Sequence, residues 1–522
     1  MSAALLPPPP SPTDALVDKL SSLSLAPNAV LLTLKQLRPA PGAEAIELCI
    51  SPRAHDGATA LVHDVRMCAH KCEQHDHPER PERITEAFAQ LSRDGLALHC
   101  ARVPARLVTR EEVCLVHEAA HWDRIEWAVN QQLAALCAYA EAHDSVFLNH
   151  ASMECARLAA GGVLELTREV MAGRVRNGMA LVRPPGHHAE VHTMMGFSLF
   201  NTVAIAAQYA RSHLGAGRVL IVDWDIHHGN GIQHAFEEDP SVLYFSVHRF
   251  EKGRFYPSTD DAAPHRVGKG AGEGATVNVG WNTQGHAKPG DAEYLAVWRE
   301  VLMPIATAFR PDLVLVAAGF DAAEGDPLGM CHVTPLGYAK LTRQLQQLAG
   351  GKLVLALEGG YSLAATSASA AGCMAALLGV TPAEEEPEAA SATGMRVPSA
   401  RIRERLARRS QRPSGRPARK GVGVDNGGGG IDQAARKAID ETKRHLARYW
   451  PCLAPPRPIS AALSAVTPSA VNAPPSPPVS CSSDAPEESQ ATLGGGTALA
   501  DGSSPPPASP CDSNAIEVIM TS

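Results

Sequence analysis

The sequence predicts an α/β fold, a single open parallel-sheet domain with helices on both faces. Three observations lead there. Short apolar runs rich in β-branched residues read as buried strands, longer amphipathic stretches read as helices, and the two alternate along the chain. Taken in order, Met153–Met171 is helical, and the apolar MALV before Arg183 is a strand. Thr202–Leu214 is the next helix, and Arg218–Val222 and Val242–Val247 are strands too short and too continuously apolar to be surface helices. Helix Glu293–Phe309 precedes strand Leu313–Val316, helix Pro335–Leu348 precedes strand Leu353–Leu357, and helix Leu363–Leu378 follows. A late amphipathic helix is expected in Ile431–Trp450, with Ile439, Thr442, Leu446 and Tyr449 on related turns.

The chain has 522 residues, a length that by itself suggests three or four domains. Hydrophobic residues make up 45%, enough for a sizeable core. The 43 Gly and 41 Pro exceed average usage, so part of the chain is not expected to pack. Residues 1–41 are Pro-, Ala- and Ser-rich and read as flexible. Residues 453–522 hold 13 prolines and read as a disordered tail. The net charge of −8 argues against a uniformly basic nucleic-acid binder, so no direct nucleic-acid readout is expected. No apolar run reaches the roughly 18 residues of a membrane span. The 12 scattered Cys, with no secretory signal, favour a reducing compartment, the cytosol or nucleus.

In parallel α/β sheets, ligands bind beyond the carboxyl ends of the strands. Five such ends carry polar residues that a buried strand does not need. Asp223, Asp225 and His227 follow RVLIV, and Asp321 follows DLVLVAAGF. Tyr361 follows KLVLALEGG, His187 and His188 follow MALVRPPG, and Ser246 and His248 close VLYFSV. Asp and Gly after one strand commonly make a turn, but five ends bearing His, Asp and Tyr together point to a site. Asp225, His227 and Asp321 form a His plus two carboxylates, a set that suits Zn²⁺ with an open position and would also accept Fe²⁺ or Co²⁺. The pair His187-His188 could serve as base and acid toward a water, or one of them could be a ligand. Gly359-Gly360 gives a tightly turned or mobile approach to Tyr361, whose phenol could donate to a developing oxyanion.

These stretches resemble the zinc-dependent histone deacetylases, class II, with the arginase/deacetylase fold. The resemblance rests on RPPGHHAE (Arg183–Glu190), MGFSLFN (Met195–Asn201), VDWDIHHGNG (Val222–Gly231), YFSVHRF (Tyr244–Phe250), AAGFDAAEGDPLG (Ala317–Gly329) and LEGGYSL (Leu357–Leu363). HLARYWPCL (His445–Leu453) is similar to the last helix of class II catalytic domains, which implies a catalytic domain over 42–452 with a flexible basic insertion at 384–430.

The resemblance implies roles residue by residue. Asp225, His227 and Asp321 would hold Zn²⁺, one per site. His188 would act as general base and then acid, His187 as its electrostatic partner, oriented by Asp223. Asn230, where class I members tend to have Asp, is a class II mark, and Tyr361 would stabilise the oxyanion. Gly196, Phe197, Tyr256 and Leu328 would line the acyl-lysine tunnel, with Tyr256 where the family usually has Phe. Asp144 or Ser145 would bind the substrate backbone at the rim. A structural K⁺ is implied at Asp223, Asp225, His227, Ser246 and Val247. Leu328 stands where polyamine-selective relatives carry an acidic residue, so acetylated protein is the expected substrate.

The alternatives are a deacetylase of small acetylated amines or other acyl-lysines, and a repressor-complex scaffold. Expected partners are chromatin or repressor-complex proteins, in nucleus or cytoplasm. The cluster Cys68, His70, Cys72, His75 and His77 resembles part of a second, structural zinc site, but Arg80 replaces a further ligand, and a polar rim loop is the preferred reading. Arg396–Lys420 carries ten basic residues and is either an import signal or a solvated linker.

Overall fold

The computed structural model describes residues 58–284, 288–380 and 431–454. The expectations for 1–41, 384–430 and Arg396–Lys420, and nearly all of 453–522, lie outside the described residues. Eight strands form one sheet in the order β2-β1-β3-β8-β7-β4-β5-β6. They are β1 Thr59–His63, β2 Ala101–Arg102, β3 Asn177–Leu181, β4 Val219–Asp223, β5 Val242–Arg249, β6 Thr276–Trp281, β7 Leu313–Ala318 and β8 Leu353–Leu357. Every pairing is parallel. Residues of β3, β4, β7 and β8 are buried at every position. A strand covered on both faces has no solvent side, which is why these runs lack polar alternation.

Helices supply the cover. Ser152–Met171, Thr202–His213, Pro335–Leu345 and Leu363–Leu377 match the expected stretches to within a few residues. Ser362 caps the last by accepting from the Ala365 N–H, and Thr334 caps its predecessor by accepting from the Gly337 N–H. The helix expected over Glu293–Phe309 is interrupted. It runs Asp291–Val297, passes through a π turn at Trp298–Leu302 and resumes as Met303–Phe309. Pro304 has no N–H for the α-helical bond to Glu300, and the wider turn accommodates that loss. Gln433–Leu446 packs beside edge strand β6, where Thr442 Oγ1 donates to the Asn278 carbonyl at 2.8 Å. Arg436 reaches Glu300 of the π turn at 2.6 Å, so this late segment is also tied to the helix that covers the sheet.

One buried ionic cluster joins the first loop to the centre of the sheet. Glu79 Oε2 lies 2.6 Å from Arg183 Nη2 and Glu79 Oε1 3.1 Å from Arg83 Nη1, all three fully buried. Arg83 also donates to the Gly360 carbonyl at 2.7 Å and to the Glu358 carbonyl. Burial works against the Glu79 carboxylate, but Arg183 and Arg83 outweigh it and hold the group at about 2, below its usual 4.5. Removing one member of a buried pair leaves the others uncompensated. Glu79→Gln should therefore destabilise the fold by about 3 kcal/mol in denaturant titrations. Because the folded value is depressed, this stabilisation is complete above pH 4.5 and fades as pH falls toward 2. Glu79→Gln should flatten that acid slope, and an unchanged slope would refute the assignment.

Candidate active site

Four adjacent central strands, β3, β8, β7 and β4, each deliver a polar group at the carboxyl end. From β4 come Asp223, Asp225 and His227, from β7 Asp321, from β3 His187 and His188, and from β8 Tyr361. Proximity of these strands is a tertiary fact, since their sequence numbers span more than a hundred residues.

Asp225, His227 and Asp321 are buried, and each offers one ligand atom within 4.8 Å of the others. His227 Nδ1 lies 3.1 Å from Asp225 Oδ1 and 3.0 Å from Asp321 Oδ2. Backbone donors aim the carboxylates: the Gly359 N–H donates to Asp225 Oδ2 at 2.8 Å and the Ile226 N–H to Asp321 Oδ1 at 2.8 Å. Glycine is needed at 359, because a Cβ there would stand 2.4 Å from Asp321 Oδ2 and 2.5 Å from Asp225 Oδ2. Burial and the neighbouring Asp225 push Asp321 up to about 7. Two buried carboxylates around one imidazole are a donor set short of positive charge, and a divalent cation fits it.

Beside this triad sit the paired imidazoles, their ring centres 4.0 Å apart. His187 Nδ1 is 3.1 Å from Asp223 Oδ2, which also accepts from Tyr244 Oη at 3.2 Å. His188 Nδ1 is 2.7 Å from Asn230 Oδ1. The two rings are pushed in opposite directions. Burial opposes charge on His187, but Asp225 and Asp223 outweigh it and hold the ring at about 10. Burial, His187 and His227 push His188 well below its usual value. Two adjacent imidazoles whose surroundings push them in opposite directions suit the division of labour of an acid–base site.

Tyr361 faces the same space. Its ring meets Phe197 edge-on at 6.0 Å, and Arg83 lies 5.3 Å from its ring centre. Asp326 fixes its backbone, with Oδ2 accepting from the Tyr361 N–H at 2.7 Å and the Ser362 N–H at 3.1 Å. Burial, then Asp321 and Asp225, hold the phenol well above its usual value, so it stays a donor.

Of the residues expected along the acyl-lysine path, Gly196, Phe197 and Tyr256 stand against this centre. Tyr256 meets His188 edge-on at 5.1 Å and His227 at 6.1 Å. Gly196, with φ +55, approaches His188 so closely that a Cβ would lie 2.5 Å from the ring. Leu328 is 37% exposed, and its N–H donates to Asp326 Oδ1, so the loop bearing it is tied to Tyr361 through one carboxylate. Asp144 and Ser145 are exposed, and their carbonyls accept from the N–H groups of Gly196 and Phe197 at 3.0 and 2.8 Å. Of the five residues considered for K⁺, Asp223 and Ser246 are register partners across β4 and β5, and Val247 follows Ser246. The Ser246 hydroxyl is engaged with His248 Nδ1 at 2.7 Å.

The Cys/His cluster does not assemble. Among the described residues no three donors converge there. His70 is fully buried, its Nδ1 2.7 Å from Ser152 Oγ, whereas Cys72 lies out with His75 at 3.6 Å. Several residues with evident positioning contacts carried no role in the sequence. Glu358 Oε2 accepts from the Gly186 and His187 N–H groups at 2.6 and 3.1 Å. Asp326, Glu190 and His234 are equally silent. The only available signal was that the first three lie inside the matched motifs.

A family model described as the histone deacetylase domain matches residues 77–377. The chain is similar to histone deacetylase 15 of Arabidopsis thaliana, 46% identical over 334 residues, covering 63% of this chain and 58% of that protein. It is 45% identical over 324 residues to the polyamine deacetylase HDAC10 of Homo sapiens, covering 62% of this chain and 48% of the relative. It is 43% identical over 335 residues to histone deacetylase clr3 of Schizosaccharomyces pombe, covering 62% and 48%. The chain thus spans about half the length of the curated relatives it matches. The crystal structure of the HDA15 HD domain superposes with a TM-score of 0.62 at 37% identity, covering 76% of this chain and 96% of that one.

Proposed function

Because the chain belongs to the histone deacetylase family, we propose that it hydrolyses Nε-acetyl-lysine in proteins, histone or non-histone, releasing acetate and lysine. The supporting observation is the buried Asp225–His227–Asp321 triad beside the paired imidazoles of His187 and His188 and the Tyr361 phenol. Asp225, His227 and Asp321 would hold a Zn²⁺, which when bound would supply Lewis acidity toward the acetyl carbonyl and toward water.

This chain's own residues do the rest. His188, neutral and anchored by Asn230, takes a proton from the attacking water and returns it to the leaving lysine amine. His187, charged and held by Asp223, favours the negative charge that develops. The Tyr361 hydroxyl donates to the oxyanion. Gly196, Phe197, Tyr256 and Leu328 line the acyl-lysine path, and Asp144 or Ser145 takes the substrate backbone. A structural K⁺ at the turn of Asp223, Asp225 and His227 with Ser246 and Val247 belongs to the same proposal, as does a catalytic unit over 42–452 interrupted at 384–430. Chromatin or repressor-complex proteins are the proposed partners, in nucleus or cytoplasm.

The relative named polyamine deacetylase keeps acetylpolyamines as the second reading. Leu328 weighs against it, because an apolar side chain cannot pair with a distant ammonium. Turnover on acetyl-lysine peptides, acetyltubulin and acetylspermidine, with metal content measured alongside, tests the choice. The peptides should be preferred. Leu328→Glu should raise acetylspermidine turnover relative to peptide by about fivefold, the ~1 kcal/mol of a partly exposed ion pair. A wild type that turns over acetylspermidine alone would overturn the protein-substrate reading.

A further inference from the structure

We infer that Glu190 and His234 are positioning residues for His188, acting through the side-chain amide of Asn230. The inference rests on the proposed role of His188 as base. Asn230 opens the helix Asn230–Phe236, and His234 stands four residues on, on the same helical face. Glu190, in the loop after β3, reaches both. Asn230 Nδ2 lies 2.6 Å from Glu190 Oε1 and 3.2 Å from the His188 carbonyl. His234 Nδ1 lies 2.9 Å from Glu190 Oε1 and 3.1 Å from Oε2. His234 Nε2 is 3.6 Å from Asp261 Oδ2, at the partly exposed end of the chain of contacts.

The chemistry of these groups decides the proton on His188. A carbonyl and an ionised carboxylate only accept. The Asn230 group facing both must therefore be its NH₂, which leaves Oδ1 facing His188 Nδ1 at 2.7 Å. An acceptor at that position requires Nδ1 to carry the ring proton. Nε2 is then left with its lone pair, the form a general base needs. Without Glu190 only the His188 carbonyl, at 3.2 Å, still accepts from the NH₂, so turning the amide over costs less. Its NH₂ would then face Nδ1, the ring proton would move to Nε2, and His188 would meet substrate as a donor. The burial of Glu190 disfavours its charge, but His234 and Asn230 outweigh burial and keep the carboxyl ionised. An Asp in place of Asn230 presents an acceptor to Nδ1 in either orientation, while its other oxygen would face the Glu190 carboxylate, so removing Glu190 from that background relieves a repulsion instead of losing a steering contact.

The test uses the full chain and an acetyl-lysine peptide. Glu190→Ala should lower kcat by about 10–100-fold, the usual cost of losing such an outer partner, with KM within about twofold of wild type. Glu190→Gln should recover most of that loss, because one oxygen can accept from Asn230 and His234 together. In an Asn230→Asp background, Glu190→Ala should cost less than about threefold. Wild-type turnover in Glu190→Ala overturns the inference. So do equal losses in Glu190→Ala and Glu190→Gln, or a loss that Asn230→Asp does not relieve, either of which would mark Glu190 as a folding residue. Retained activity in His188→Ala would instead strike at the proposed role of His188 itself.

Discussion

His188→Ala should lower kcat by about 10²–10⁴-fold, toward the upper end, because one imidazole serves both proton transfers. Its Nδ1 is committed to Asn230 at 2.7 Å, and burial beside His187 and His227 keeps the ring neutral. It is not part of the Asp225–His227–Asp321 donor set, and its ring centre stands 6.0 Å from that of His227. The variant should therefore retain its metal, as measured by elemental analysis, while peptide turnover is lost. Metal lost together with activity would reassign His188 as a ligand. His187→Ala should behave differently, weakening turnover less, since its place is beside the base and its partner is Asp223 at 3.1 Å.

Tyr361→Phe should cut kcat by about 10²–10³-fold with KM nearly unchanged, the typical cost of one oxyanion donor. The substitution removes only the hydroxyl. The ring keeps its edge-on contact with Phe197 and its place beside Arg83, and the backbone keeps both bonds to Asp326. Thermal stability should move little, so lost turnover reads on chemistry. Burial, then Asp321 and Asp225, push the phenol above its usual value. Full turnover in the phenylalanine variant would remove Tyr361 from the reaction.

Legibility from sequence followed local signal. Strands such as LVLAL at β8 and VLYFSVHR at β5 announce themselves by continuous apolar runs. Edge elements were harder. β2 is only two residues long, and β1 ends in His63. TVNVGW at β6 is fully buried although it carries Thr and Asn, because Asn278 is met by Gln233, Asp261 and Arg266. Helices Glu82–Arg93, Ala119–Val129 and Leu133–Glu141 went unread. The second buries His121 with Trp122, which blurs the apolar face. The π turn before Met303 follows from a single proline, visible in sequence but not in periodicity.

The sequence by itself determined the class of the sheet, the strand ends that carry polar groups and the identities of the metal-ligating and acid–base candidates. Those are local properties, set by burial pattern and by residue type at a strand's carboxyl end. The tertiary structure alone decided which ends meet, since β3, β8, β7 and β4 become neighbours only through the strand order. It also decided the supporting charges. Glu79 joins Arg183 across more than a hundred residues, with Arg83 one helical turn away completing the cluster, and Glu190 reaches Asn230 and His234 from another loop. A buried charge persists only where partners of the right sign and geometry surround it, and those partners come from distant parts of the chain.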